Sequence, residues 1–91
     1  MSNEIEEYIG QIMVLTDKYN NTGYFLINYI RDDLLFYRIG ISKLEYENEK
    51  VTKSAGVNEV MLPYEKFLEL KKSFITVDAF KLLHELRDED N

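Results

Sequence analysis

Apolar and aromatic residues are densest in residues 24–41, where two runs flank a short charged interruption. Isoleucine, tyrosine and phenylalanine suit a pleated, buried surface, which favours two strands. The interruption, Arg31, Asp32 and Asp33, contains the common turn former aspartate. The pattern therefore predicts a β-hairpin with its turn at these three residues.

Side chains alternate between the two faces of a strand, so Phe25, Ile27 and Tyr29 are predicted on one face of the first arm. Tyr24, Leu26 and the residues in step with them take the other face. Neither face is clearly polar. We therefore expect the face around Phe25, Ile27 and Tyr29 to meet either an N-terminal helix or another chain.

Residues 1–19 carry apolar side chains at the three-four spacing of a helical face, beginning at Ile5 and Tyr8. Asn3 and Glu6 fit the first and last positions of a capping box. The pattern predicts an N-terminal helix. A strand through residues 12–16 is the alternative for residues 10–18, since that run is rich in β-branched residues and Gly10 disfavours a helix interior.

Residues 42–53 alternate charged and apolar side chains, which predicts a further, solvated strand. Glu45, Glu47 and Glu49 share one side of it, and Tyr46 lies on the other. Carboxylates on such a row stand about 7 Å apart, near the repeat of a phosphate backbone. The row is the sharpest candidate for partner binding, as a mimic of DNA, against the alternative of a merely solvated face.

The C-terminal third predicts two helices. Pro63 suits the first position of a helix, and an apolar stripe follows from Tyr64 to Ile75. Thr76 is a candidate N-cap for a second helix, whose inward stripe is predicted at Ala79, Leu82, Leu83 and Leu86. We expect the two helices to pack as an antiparallel pair on one face of the sheet.

These elements predict one small α+β domain over residues 1–91. It has an N-terminal helix, a small antiparallel sheet made of hairpin 24–41 plus a further strand, and a C-terminal helical pair. Residues 87–91 place acids at the negative end of the last helix, so we expect a frayed acidic tail.

Composition narrows the function. The chain has no cysteine, which excludes disulfides and thiolate sites, and we expect a cytoplasmic protein with no membrane span. A net charge of -6 disfavours nucleic-acid binding by the monomer and favours a basic protein partner. A chain of 91 residues also has a thin stability margin, which makes a homodimer a reasonable expectation.

Catalytic motifs are missing from the sequence, so we predict no enzyme, no cofactor and no metal site. His84 is the only histidine, and its neighbours Lys81 and Arg87 predict a position on the outer side of the last helix. Asp32 and Asp33 are better explained as turn formers than as an acid-base pair. A small enzyme with carboxylate chemistry would need a concave pocket near Asp32, Glu45 or His84.

Residues 60–70, Val-Met-Leu-Pro-Tyr-Glu-Lys-Phe-Leu-Glu-Leu, resemble the strand-then-helix segment of prevent-host-death type antitoxins. The resemblance implies a dimeric regulator whose C-terminal helices grip a partner protein. The leading hypothesis is different: a non-catalytic acidic module that binds another protein, as a small phage or mobile-element inhibitor or adaptor. The candidate partner-binding residues are Glu45, Glu47, Glu49, Phe25, Ile27, Tyr29 and Tyr46.

Overall fold

The computed structural model describes the backbone of residues 4–89 and the side chains of residues 5–86. Within this range, five antiparallel strands form one sheet, and two helices follow the last strand. The strands are β1 (Ile12–Thr16), β2 (Thr22–Asp32), β3 (Phe36–Glu47), β4 (Lys50–Lys53) and β5 (Asn58–Pro63). The helices are α1 (Tyr64–Leu70) and α2 (Val77–Glu89), with short 3-10 helices at Glu4–Tyr8 and Lys71–Ser73.

The predicted N-terminal helix is wrong. A single 3-10 segment ends at Tyr8, Gly10 adopts a positive φ of 90°, and the chain then enters β1, which pairs with β2. Ile12 and Met13 are both almost fully buried although they point to opposite faces. A strand covered on both faces shows no polar side, so its apolar residues mimicked the spacing of a helix. The predicted cap at Asn3 lies outside the described residues.

The predicted hairpin is confirmed as β2 and β3, but the sheet is larger than expected. β3 is 12 residues long, and β2 pairs along one side of it. On its other side β5 pairs with residues 36–41 and β4 with residues 44–47. The predicted further strand is therefore the continuation of β3 followed by a tight return through β4.

The two helices lie on opposite faces of the sheet. Phe67 of α1 packs with Met13, Ile27 and Ile39, on what we call the α1 face. Phe80 of α2 packs with Ile12 and Leu44, on the α2 face. Each helix covers only part of its face: α1 lies over the end where β3 begins and α2 over the end where β3 finishes.

The prediction that the two helices pack together on one face of the sheet is therefore wrong, and the path of residues 74–76 explains the difference. Ile75 forms a two-hydrogen-bond bridge with Ile12 on the outer edge of β1, with N···O distances of 2.8 and 3.0 Å. This bridge carries the chain across the sheet edge from the α1 face to the α2 face. Thr76 then caps α2 as predicted, since its Oγ1 accepts a hydrogen bond from the Ala79 N–H at 3.1 Å.

The predicted fraying of residues 87–91 lies outside the described side chains, and α2 is described as far as Glu89. Within residues 4–89, no helix is long and apolar enough to cross a bilayer.

Candidate protein-docking surface

The candidate residues of β2 do not share one face. Phe25 and Ile27 lie on the α1 face, where Ile27 is 1% exposed within the core. The pairing passes from Ile27 opposite Ile41 to Tyr29 opposite Gly40, so Asn28 is an extra residue, a β-bulge. A bulge reverses the alternation that follows it, which places Tyr29 on the α2 face. The expected common surface of these three residues is thus divided between opposite faces.

The predicted acidic row is also incomplete. Glu45 and Glu47 point to the same side of β3, but Glu49 occupies the turn into β4 with a positive φ of 64°. Lys43 Nζ lies 3.7 Å from a carboxylate oxygen of Glu45, and Lys50 lies directly opposite Glu47. A lysine thus lies beside each of these two carboxylates, so the strand does not display the regular line of negative charge that a phosphate backbone has.

His84 faces the sheet, contrary to the predicted outer position. Its ring lies 4.4 Å from the Phe80 ring, 5.2 Å from Tyr46 and 5.6 Å from Tyr24, measured between centroids. Its Nδ1–H donates to the Phe80 carbonyl at 3.0 Å, because a carbonyl oxygen can only accept. Tyr46, a candidate partner residue, is therefore part of the packing beneath α2.

The predicted inward stripe of α2 consequently points outward. Leu82, Leu83 and Leu86 are 56%, 39% and 52% exposed. The inward positions are instead Val77, Phe80 and His84, which follow the same three-four spacing from another starting point. The three leucines form an exposed apolar ridge, which we call the α2 ridge.

A second apolar surface lies at the end of the β2–β3 hairpin. Leu34 and Leu35 are 87% and 79% exposed, and Met61 of the adjacent β5 is 59% exposed. The pairing of Phe36 with Pro63 brings both residues to the part of the α2 face that α2 does not cover. We call these five residues the tip surface: Leu34, Leu35, Phe36, Met61 and Pro63.

The hairpin turn is two residues later than the sequence suggested. Strand β2 continues through Asp32, and the turn spans residues 33–35. Asp32 Oδ1 accepts a hydrogen bond from the Leu34 N–H at 3.0 Å, the interaction by which aspartate starts a turn. Leu34 adopts the left-handed conformation, with φ 68°. The aspartate-capping signal at residues 32–34 would have located the turn, but the apolar run from Leu34 favoured a strand.

Polar contacts hold this turn in place. The Tyr64 hydroxyl of α1 donates to Asp32 Oδ1, and this contact raises the pKa of Tyr64 to about 12. On the other side of the turn, Arg38 Nε lies 2.8 Å from Asp33 Oδ2 and its Nη1 lies 3.1 Å from Glu59 Oε1. The turn is thus tied both to α1 and to β5.

Glu59 joins the network to β2. The Tyr29 hydroxyl donates a hydrogen bond to Glu59, which lowers the pKa of Glu59 and raises the pKa of Tyr29. The contact of Glu59 with Arg38 lowers the pKa of Glu59 further. The Arg31 guanidinium lies over the Tyr29 ring, 4.8 Å from its centroid. The uncovered half of the α2 face therefore has an ordered charged border beside the apolar tip surface.

Two cavities lie in the described part of the chain near the β1–β2 and β3–β4 ends. An open cleft of about 380 Å³ is lined by Leu15, Phe25, Lys43 and the turn between β1 and β2. A smaller one of about 160 Å³ has Glu45, paired to Lys43, in its wall. Asp32 and His84 line neither. Within residues 4–89, no group of three or more histidine, aspartate or glutamate side chains is placed to hold a metal ion.

Comparison of the chain with protein-family models, with curated proteins and with solved structures gives no match. The resemblance of residues 60–70 to an antitoxin segment therefore stays local, covering β5 and α1.

Proposed function

We propose that this chain is a non-catalytic, acidic protein-binding module that docks its partner on the tip surface. The observation that carries the proposal is Leu34. Its side chain is 87% exposed, so it adds little to the core, and its left-handed backbone is one that glycine and asparagine adopt more readily. Leucine is thus unfavourable at this position for the isolated fold on two separate grounds, and strained residues of this kind cluster at binding sites.

The neighbouring residues support a docking role. Leu35, Met61 and Pro63 are also exposed, and the half-buried Phe36 lies next to Leu35 in the chain and opposite Pro63 in the sheet. Exposed apolar residues clustered in this way are typical of interaction sites. Burying a leucine side chain contributes about 1.5–3 kcal/mol. The ties through Asp32 and Arg38 hold the turn in one conformation, which lowers the entropy cost of docking.

The proposal includes a basic protein as the partner and the cytoplasm as the location. The net charge of -6 supports a basic protein partner, and a chain without cysteine is consistent with the cytoplasm. An inhibitor or adaptor would act through such a surface without any catalytic group of its own.

Quantitative affinity capture from cell lysate tests the proposal. The proteins captured by three immobilised versions of the chain are compared by mass spectrometry. The three baits are the unmodified chain, Leu34→Ser/Leu35→Ser, and Leu82→Ser/Leu86→Ser as a matched variant on the α2 ridge. Each double variant removes two exposed leucines and leaves the charge unchanged. Circular dichroism establishes that all three are folded.

We expect a specific set of proteins that is retained by the α2-ridge variant and lost, by about tenfold or more, with the tip variant. Proteins lost only with the α2-ridge variant would move the binding site to α2. Identical capture by all three baits would contradict docking through either surface.

A further inference from the structure

The outer edge of β5 presents backbone groups that no other strand uses within residues 4–89. The direction of the hydrogen bonds follows from Lys43, whose carbonyl accepts from the Ser54 N–H at 2.9 Å on the β4–β5 side of β3. Backbone groups of successive strand residues point to alternate sides, so Ile39 and Tyr37 also face β5. Their partners Val60 and Leu62 use their N–H groups within the sheet, and the N–H groups of Glu59 and Met61 point outward.

The other edges of the sheet are less open to pairing. The bridge between Ile12 and Ile75 occupies the outer edge of β1 at its first residue. Strand β4 begins with Lys50 and ends with Lys53, and lysines discourage pairing at a sheet edge. Strand β5 has no lysine, and its central outward residue is Met61, 59% exposed.

Charge decides which strand suits this edge. Residues 58–70, which form β5 and α1, contain three glutamates and one lysine, and the adjacent hairpin end adds two arginines and two aspartates, so the net charge around the edge is −2. Two of the three cations are already paired: Lys66 Nζ lies 3.8 Å from Glu69, and Arg38, opposite Met61, lies 2.8 Å from Asp33 and 3.1 Å from Glu59. A second copy of this chain would place the same negative segment against itself, whereas a positively charged segment would be attracted.

We propose that the partner supplies an extended, positively charged segment that pairs with the outer edge of β5 and places an apolar side chain beside Met61. The sheet thereby gains a strand, and hydrogen bonds to Glu59 and Met61 supply the register. This inference rests on the proposed function. It specifies the partner's chemistry at one border of the tip surface, since Met61 and Pro63 belong both to that surface and to β5.

The test uses ¹⁵N-labelled full-length protein and two short synthetic peptides, one alternating lysine with valine and one alternating glutamate with valine. In the free protein, we expect rapid hydrogen exchange at the Glu59 and Met61 amides and slow exchange at Val60 and Leu62. The lysine peptide is expected to bind, to shift the Glu59 and Met61 amide signals and to slow their exchange. The glutamate peptide is expected to bind about tenfold more weakly or not at all.

Met61→Pro is the central variant, because proline removes an outward N–H that the sheet does not use and leaves the bonds between β5 and β3 intact. We expect it to weaken binding of the lysine peptide about tenfold. Met61→Lys keeps the N–H, adds a cation at the edge and should weaken the same peptide by charge repulsion. Leu82→Ser/Leu86→Ser should leave peptide binding unchanged, because it alters only the exposed ridge of α2.

Equal binding of the two peptides, binding that Met61→Pro does not change, or no binding of the lysine peptide would overturn the inference. Slow exchange at Met61 that appears only at high protein concentration, with a doubled solution mass, would also overturn it in favour of a second copy on this edge. The proposed function is tested separately by lysate capture with the tip variant, so either proposal can fail alone.

Discussion

Replacing Gly40 with alanine tests the geometry of the uncovered half of the α2 face. Gly40 lies directly opposite Tyr29, and the Tyr29 ring covers it. A Cβ atom at position 40 would lie 2.0 Å from Tyr29 Cε2 and 2.5 Å from its Cδ2 and Cζ. These distances are far below van der Waals contact, so Gly40→Ala must displace the ring.

The displacement carries a cost that can be bounded. The ring is held by its hydroxyl contact with Glu59 and by the Arg31 guanidinium above it. Forcing extra volume into such a packed site costs about 1–3 kcal/mol. Alanine regains about 0.5–1 kcal/mol because glycine is unfavourable within a strand. We therefore expect Gly40→Ala to lower the free energy of unfolding by about 1–2 kcal/mol.

A double-mutant cycle isolates the contact. With Tyr29→Ala the ring is gone, and Gly40→Ala should then be neutral or stabilising by about 0.5 kcal/mol, giving a coupling near 2 kcal/mol. The assay is urea unfolding followed by far-ultraviolet circular dichroism, since the chain has no tryptophan. An equal loss of stability in both backgrounds, or no loss in either, would refute the packing of Tyr29 on Gly40.

Three further predictions follow from the fold. Thr76→Ala should lower the free energy of unfolding by about 1 kcal/mol because it removes the hydrogen bond from the Ala79 N–H, whereas Thr76→Ser should keep that hydrogen bond. Urea unfolding measures both variants, and an equal loss of stability in the two would contradict the cap. Phe67→Leu and Phe80→Leu should have additive effects within about 0.5 kcal/mol because they lie in separate clusters on opposite faces, whereas strong coupling would point to a shared core. The contact with Asp32 raises the pKa of Tyr64 to about 12 from 10.0, so its stabilisation is complete below pH 10 and is lost as pH rises toward 12. Tyr64→Phe should therefore flatten the fall of the urea midpoint across that window, and an unchanged fall would exclude this contact as its cause.

The sequence was sufficient where one pattern dominated locally. Residues 24–41 lie in the two strands that their β-branched and aromatic content predicted, and Thr76 begins a helix as its hydroxyl suggested. Such signals arise within a few residues, so no knowledge of tertiary packing is required.

Prediction failed where burial on two faces or a single extra residue decided the outcome. β1 is covered on both sides, which removed the alternation that identifies a strand. The bulge at Asn28 moved Tyr29 to the other face, and the bridge at Ile75 sent α2 to the face opposite α1. The position of α2 on the opposite face also changed which of its residues are buried, because the buried side of a helix is the side that contacts the sheet. The tip leucines were missed because an apolar pair after a turn former looks like the start of a strand.

Site-specific photo-crosslinking in cells tests whether the partner docks on the tip surface. A photo-crosslinking amino acid would replace Leu34 in one version of the chain and Leu82 of the α2 ridge in another, since both side chains are exposed. Docking through the tip surface should give a discrete adduct with one partner from position 34, lost when Leu35→Ser is added, and no comparable adduct from position 82. A discrete adduct from position 82 together with none from position 34 would contradict it.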